Sequence, residues 1–121
     1  MAEHNEIGKQ GELLAQQHLR TIGYQIIKTN WRKHRCEVDI IANHANFLCF
    51  IEVKTRSNTN SGNPRDAVNK KKQQELIKAA NLYLEDTSKD PEVRFDVIEV
   101  IINQGKKAEI ILIQDAFNAV G

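Results

Sequence analysis

Three residues of the types that serve phosphate chemistry lie on two neighbouring apolar segments of this chain: Asp39, Glu52 and Lys54. Successive side chains of a β-strand point to opposite faces, so Glu52 and Lys54, two positions apart, are predicted to share one face. Carboxylate oxygens are the ligands that hard divalent cations prefer, and an amine beside them offers positive charge to a phosphate. The spacing therefore predicts a cation site with a lysine next to it.

The two acids belong to segments that a tight connection at residues 44–46 would fold into an antiparallel hairpin. Such a hairpin brings Asp39 and Glu52 side by side if both point to the same face. Carboxylates that close repel each other unless a cation or a shared proton lies between them. We expect Mg²⁺ (or Mn²⁺), bound through one oxygen of each acid at about 2.0 to 2.1 Å, with waters completing its shell. The alternative is a plain ion pair between Glu52 and Lys54, which is common on solvated strands.

Two further acids are candidates for the same site. Glu12 lies in the predicted first helix beside Gly11, and small neighbours would let this helix approach the sheet closely. Glu12 is therefore either an additional ligand, or a residue that orients a water, or an exposed helical glutamate. Glu37 precedes Asp39 on the predicted strand and is either a ligand or a partner for Arg32 or Arg35.

Hydrophobic periodicity predicts seven elements along the chain. They are a helix over residues 5–21, strands over 24–31, 37–43 and 47–55, a helix over 68–85, and strands over 94–102 and 110–113. The order helix–strand–strand–strand–helix–strand–strand predicts an α/β fold with a mixed sheet flanked by helices, because the second helix crosses between sheet strands. Between them, residues 57–64 are turn formers and predict a mobile loop beside the site.

Strict alternation along the second strand predicts how its side chains divide between the two faces of the sheet. Val38, Ile40 and Ala42 are expected on one face, and Glu37, Asp39 and Ile41 on the other.

Positive charge is concentrated in the middle of the chain. Residues 28–78 carry eleven Lys or Arg against five Asp or Glu, whereas the chain as a whole has a formal net charge of only +1. A basic region around strand acids is typical of a phosphate-binding surface near a metal site, and the alternative is a solvated set of surface lysines. The candidate phosphate contacts are Arg32, Lys33, Arg56, Lys70, Lys71 and Lys72.

Length and composition limit the class of protein. A chain of 121 residues with 40% hydrophobic content is predicted to form a single domain over residues 1–121. No apolar run approaches the length of a membrane span, and the polar start lacks the hydrophobic stretch of a secretory signal, so we expect a cytoplasmic protein without membrane contact. Possible homodimer formation is left open, and the apolar stretch at residues 116–120 is a candidate contribution to such an interface.

Several blocks of the sequence, taken in order, resemble the YraN family of endonuclease-like bacterial proteins. These blocks are GKQGELLA (8–15), GY (23–24), NWR (30–32), EVDIIA (37–42), FIEVKTR (50–56) and RFDV (94–97). That family is similar to archaeal Holliday-junction resolvases and to the PD-(D/E)XK nuclease superfamily. The resemblance implies a restriction-endonuclease-like core, a mixed sheet flanked by helices.

The resemblance also implies a role for each candidate residue. Asp39 and Glu52 would be metal ligands, Lys54 the catalytic lysine, and Glu12 the acid contributed by the first helix. The chain departs from the family pattern at Cys36, where the family usually has glycine, and from the superfamily pattern at Val38, where the proline that names it would stand. Neither departure removes a proposed ligand.

Residues and resemblance together lead to one main hypothesis and two alternatives. The main hypothesis is a magnesium-dependent nuclease that hydrolyses the phosphodiester backbone of DNA, with branched or junction DNA among its candidate substrates, by in-line attack of an activated water. The first alternative is a non-catalytic nucleic-acid-binding module that keeps the nuclease scaffold. The second is a structural or interaction protein whose strand charges form only ion pairs.

Overall fold

The structure is a computed structural model that describes residues 2–57, 68–103 and 105–119, with side chains from residue 6 onward. Its elements are α1 (Ala2–Thr21), β1 (Gln25–Lys33), β2 (Cys36–His44), β3 (Phe47–Arg56), α2 (Lys70–Glu85), β4 (Glu92–Ile101) and β5 (Glu109–Phe117). The predicted α/β class and order of elements are confirmed. Apart from Ser57, the predicted loop over residues 57–64 lies outside the described residues, and the single domain over residues 1–121 stays a prediction.

The five strands form one mixed sheet in the order β1-β2-β3-β4-β5. β3 and β4 run parallel, whereas every other neighbouring pair is antiparallel. Two parallel strands cannot be joined by a hairpin, so α2 lies in the crossover between β3 and β4. The mixed sheet and the crossover helix are as predicted.

Two-residue turns join the first three strands. His34 and Arg35 link β1 to β2, and Ala45 and Asn46 link β2 to β3; all four residues have positive φ. A pair of left-handed residues gives a turn whose twist matches that of the strands it connects. The predicted tight connection at residues 44–46 is confirmed, and it fixes the register of β2 against β3.

The two helices lie on opposite faces of the sheet, each over its own apolar cluster. Leu19 of α1 packs with Ile51 and other buried residues on one face. Leu76 of α2 packs with Phe50 on the other face. Neighbouring residues of β3 thus point to opposite clusters, as strand geometry requires. Full burial of a Leu, Ile or Phe side chain contributes roughly 1.5 to 3 kcal/mol, so β3 is held from both sides.

A buried polar network ties the first corner of the chain to the last two strands. Asp96 is fully buried and accepts hydrogen bonds from Tyr24 Oη at 2.7 Å and from Arg94 Nε at 2.9 Å. Arg94 also donates to Tyr24 Oη at 2.8 Å and contacts His44 Nδ1 at 2.9 Å. A buried ion pair is tolerated where further hydrogen bonds satisfy its atoms, and this network meets that condition.

The same network explains why β5 is longer than predicted. β5 spans Glu109–Phe117 rather than residues 110–113, so the predicted end was wrong. Asp115 has a left-handed backbone (φ 53°), and its N–H donates to Asp96 Oδ1 at 2.9 Å. The strand continues beyond this irregularity to Phe117, whose ring stacks on Phe95 at a centroid distance of 5.0 Å. The sequence did not predict this continuation of β5, because polar residues interrupt the apolar pattern after Ile113.

α1 approaches β3 closely at Gly11. A Cβ atom placed on Gly11 would lie 2.9 Å from the Cβ of Thr55 on β3 and nearer still to its hydroxyl group. The missing side chain of Gly11 therefore lets α1 contact β3. This contact places the next residue, Glu12, beside the end of β3.

Gly11→Ala is expected to lower the free energy of unfolding by about 1 to 3 kcal/mol, because the added methyl group overlaps Thr55. Gly8→Ala is the matched control, since a Cβ there meets nothing within 4 Å. Gly8→Ala should stabilise the helix by roughly 0.5 to 1 kcal/mol through the better helix propensity of alanine. Urea unfolding followed by circular dichroism measures both changes. Equal stabilisation by the two substitutions would contradict the close contact.

Candidate functional site

The candidate site begins where β2 and β3 stop pairing. The ladder between them ends at the pair Ile40 and Ile51, one position before Asp39 and Glu52 would face each other. There the carboxylate of Asp39 replaces a backbone acceptor, since its Oδ2 accepts a hydrogen bond from Val53 N–H at 2.8 Å. An unpaired buried N–H costs about 1 to 3 kcal/mol, so this bond holds Asp39 in the gap between the strands.

The predicted division of β2 side chains between the two faces was wrong at this point. Val38 packs in the cluster under α2, whereas Ile40 and Ala42 pack in the cluster under α1. The backbone therefore loses its alternation at Asp39. On β1, the residue between the partners of Val38 and Ile40 is Asn30, which has a left-handed backbone (φ 52°). Because the strand changes face at Asp39, its side chain reaches towards β3 and belongs to neither apolar cluster.

Asp39 and Glu52 are brought together, as predicted, and their charges are held in an unfavourable environment. Their carboxyl groups lie within hydrogen-bonding reach of each other. Burial, and then repulsion by Asp39, raises the pKa of Glu52 to about 8. Burial also raises the pKa of Asp39, although the hydrogen bond from Val53 opposes this effect. Both shifts favour keeping a proton on the pair when no cation is present.

A cavity of about 570 Å³ opens beside Asp39 at the ends of these strands. Lys54 lines this cavity together with Asp39, and its side chain is exposed. Glu52 is not among the residues described as lining this cavity. Its Oε2 instead lies 3.7 Å from Lys72 Nζ of α2. Among the described residues, the lining consists of Gly8, Lys9, Glu12, Asn30, Glu37, Asp39, Val53, Lys54 and Thr55.

Glu12 lines the same cavity and is repelled by the charge of Asp39. Burial, and then repulsion by Asp39, raises the pKa of Glu12, whereas a hydrogen bond with the Asn30 side chain lowers it. Within the described parts of the chain, no group of three or more His, Cys, Asp or Glu side chains is arranged to hold a metal ion. Glu12 thus approaches the pair of Asp39 and Glu52 without closing a three-acid ligand set.

The donor set nevertheless fits Mg²⁺ or Mn²⁺. Mg²⁺ is commonly held by one or two carboxylates, with waters and substrate phosphates as its other ligands. Asp39 and Glu52 supply two carboxylates, and the hydrogen bond from Val53 fixes the orientation of the first. A dication between them would remove the repulsion that raises the pKa of Glu52.

The sequence prediction missed Asn30, which lines the cavity and hydrogen-bonds to Glu12. Asn is depleted in strands but is among the few residues that adopt a left-handed backbone readily. An Asn within a strand segment was therefore the available signal for an irregular, site-facing position. Lys9 and Thr55 also line the cavity and were missed, because neither gives a signal in sequence.

Four of the six predicted phosphate contacts have acidic partners, and three of these partners lie outside the pair of Asp39 and Glu52. Arg32 Nε lies 3.3 Å from Glu37 Oε2, which makes Glu37 an ion-pair partner of Arg32, one of its two predicted alternatives. Lys33 Nζ lies 2.9 Å from an oxygen of Asp86. Both basic side chains keep solvent access. Arg56 is different, because its Nε lies 3.0 Å from the buried carboxylate of Glu99 and its side chain is only 16% exposed. This burial favours a structural role for Arg56.

The other three predicted contacts form the first turn of α2. Lys70 and Lys71 are exposed, and Lys72 is partly buried beside Glu52. Asn69 caps the helix by accepting the Lys72 N–H at 2.9 Å. Two exposed lysines and one lysine paired with an acid therefore border the site from the α2 side.

The fold and site define an α/β protein with paired acids at the open end of two sheet strands. The chain belongs to the protein family described as "Uncharacterised protein family UPF0102", whose model matches residues 11–100. A UPF0102 protein of Christiangramia forsetii is 52% identical over 118 residues, covering 97% of this chain and 98% of the relative. A UPF0102 protein of Flavobacterium psychrophilum is 45% identical, covering 97% and 98%. One of Chloroherpeton thalassium is 40% identical, covering 93% and 94%.

Neither described helix combines the length and apolar composition that a membrane crossing requires.

The raised pKa of Glu52 predicts a pH dependence of stability. Between about pH 4.5 and 8 the folded protein keeps a proton that the unfolded chain has lost, so stability falls as pH rises through this window. Glu52→Gln should remove this part of the loss. Between pH 4.5 and pH 8.5, the free energy of unfolding of the variant should rise by at least about 1.4 kcal/mol relative to that of wild type. This amount is the equivalent of a tenfold change in proton binding.

Urea unfolding in EDTA at both pH values measures this difference. Glu75→Gln, which changes an exposed glutamate of α2, is the matched control. If the two variants show the same pH dependence as wild type, Glu52 does not carry a buried charge.

Proposed function

We propose that this protein is a metal-dependent nuclease that hydrolyses phosphodiester bonds of DNA, with branched or junction DNA among its candidate substrates. The observation that carries the proposal is the meeting of Asp39 and Glu52 in the gap between β2 and β3, beside a cavity lined by Lys54. Two partly buried acids that repel each other favour a divalent cation between them. The order and sheet pattern of the elements are consistent with a restriction-endonuclease-like core of the PD-(D/E)XK type.

Each residue has a specific part in this proposal. Asp39 and Glu52 hold Mg²⁺ or Mn²⁺, which when bound polarises the phosphate and helps to activate water. Lys54 places positive charge against the phosphate oxygens, where negative charge grows in the transition state. Glu12, oriented by Asn30, accepts a hydrogen bond from the attacking water in the same cavity.

DNA binding in this proposal depends on phosphate contacts, which position a backbone without reading its sequence. Lys70 and Lys71 are the most accessible candidates, because both are exposed at the start of α2. Arg32 and Lys33 can exchange their surface acids for phosphates, since such pairs contribute only about 0 to 1 kcal/mol.

A second candidate function is a non-catalytic nucleic-acid-binding module on the same scaffold. One observation favours it: among the residues whose positions are described, three acids do not close into a metal-ligand group. Such a module would still bind DNA through its lysines, with a steep dependence on salt. Homodimer formation and a cytoplasmic location stay predictions from sequence.

Purified protein is expected to cleave at least one of linear, flap or four-way DNA in Mg²⁺ or Mn²⁺, and to lose activity in EDTA. Asp39→Asn and Lys54→Ala should each lower the cleavage rate by about 100-fold or more, because they remove a ligand or a charge that stabilises the transition state. Gel-based single-turnover cleavage measures these rates. Lys89→Ala, at an exposed position outside the cavity lining, is the control and should cleave like wild type.

Cleavage that persists in both site variants would assign the activity to a contaminant or another site. DNA binding without cleavage of any of the three substrates would favour the binding module.

A further inference from the structure

Lys72 occupies the position where a positive charge is needed when no cation is present. Its Nζ lies 3.7 Å from Glu52 Oε2. Its charge also acts on both acids, favouring the ionised form of Asp39 as well as that of Glu52. The Lys72 side chain is 39% exposed, whereas that of Glu52 is 13% exposed. A flexible, partly exposed lysine side chain thus faces the mostly buried side chain of Glu52.

The capped start of α2 delivers this lysine to the site. The Asn69 side chain accepts the Lys72 N–H at 2.9 Å, which fixes where the third helical residue emerges. The first turn of α2 contains no acid, and lysines are unfavourable there because the helix dipole places positive charge at this end. The proximity of Glu52 offsets this cost for Lys72. Lys70 and Lys71 are exposed to solvent, so their charges do not need such a partner.

We propose that Lys72 is the resting counter-ion of Asp39 and Glu52, and that a divalent cation displaces it and frees its ammonium group to contact a phosphate of the nucleic acid. This inference rests on the proposed function, because it requires a cation to bind these two acids. A dication at the pair repels the ammonium group that the carboxylates had attracted. The long, flexible stem of lysine allows the group to move without moving α2.

Displacement of Lys72 links metal loading to nucleic-acid binding. The cation must compete with Lys72 for the acids, which weakens metal binding in the free protein. A phosphate that accepts the released ammonium group removes this competition. By thermodynamic reciprocity, metal then strengthens DNA binding by the same factor as DNA strengthens metal binding.

Lys72→Met tests the counter-ion role, because methionine keeps much of the side-chain length and removes the charge. Isothermal titration with Mn²⁺ should show about fivefold tighter binding to Lys72→Met than to wild type, the size expected when a half-exposed ion pair no longer competes. Lys71→Met removes the same charge one position away and should bind Mn²⁺ within about twofold of wild type. In EDTA, Lys72→Met should melt at a lower temperature than wild type, and saturating Mn²⁺ should abolish or reverse the difference.

Binding to DNA gives an independent readout, measured in a Lys54→Ala background to suppress cleavage. We compare the slopes of log DNA affinity against log salt concentration with and without Mn²⁺. When Lys72 is present, Mn²⁺ should steepen this slope by an amount that corresponds to the release of about one more counter-ion from the DNA. The added Lys72→Met substitution should remove this change.

Equal or weaker Mn²⁺ binding by Lys72→Met, while wild type binds through Asp39 and Glu52, would overturn the displacement and leave the nuclease proposal intact. If wild-type protein binds no Mn²⁺, or binds it no more tightly than the Asp39→Asn variant does, both the displacement of Lys72 and the nuclease proposal are overturned. An equal gain in Mn²⁺ affinity from Lys71→Met would show a general charge effect and also overturn the specific role of Lys72.

Discussion

The rest of the site depends on one substitution of hydrogen-bond partners: the carboxylate of Asp39 accepts the N–H of Val53 where a backbone carbonyl would continue the sheet. This bond opens β2 from β3 while leaving the N–H satisfied. The same opening breaks the alternation of side chains on β2 and creates a cavity that Lys54 and Glu12 line. The place where β2 and β3 separate thereby holds a group of polar side chains at a fixed position.

Bringing Asp39 and Glu52 together creates an electrostatic problem with three available solutions. A proton can stay on the pair, because burial and then repulsion by Asp39 raise the pKa of Glu52 to about 8. Lys72 can approach from α2, as it does at 3.7 Å. A divalent cation can take the place of both, and it has the highest charge of the three. Under the proposed function, competition among proton, lysine and cation would connect the stability of the fold to the occupancy of the site.

Local periodicity in the sequence predicted the type and order of the elements. Alternating apolar residues and turn formers predicted the order of elements, the hairpin at residues 44–46 and the crossover helix, all confirmed. It did not allow prediction of features that depend on partners distant in the chain. The change of face at Asp39 requires Val53, and the end of β5 requires Asp96. The approach of Lys72 to Glu52 depends on where the crossover places α2 on the sheet, which periodicity does not specify.

Diffraction from a crystal soaked in Mn²⁺, collected where manganese scatters anomalously, would show whether Asp39 and Glu52 bind a cation between them. We expect one strong anomalous peak in the gap between β2 and β3, within coordination distance of a carboxylate oxygen from each of Asp39 and Glu52, with waters completing the shell. The Val53 N–H should still donate to Asp39. A well-ordered site with no peak, or with Lys72 still bound to Glu52 at saturating Mn²⁺, would contradict the account.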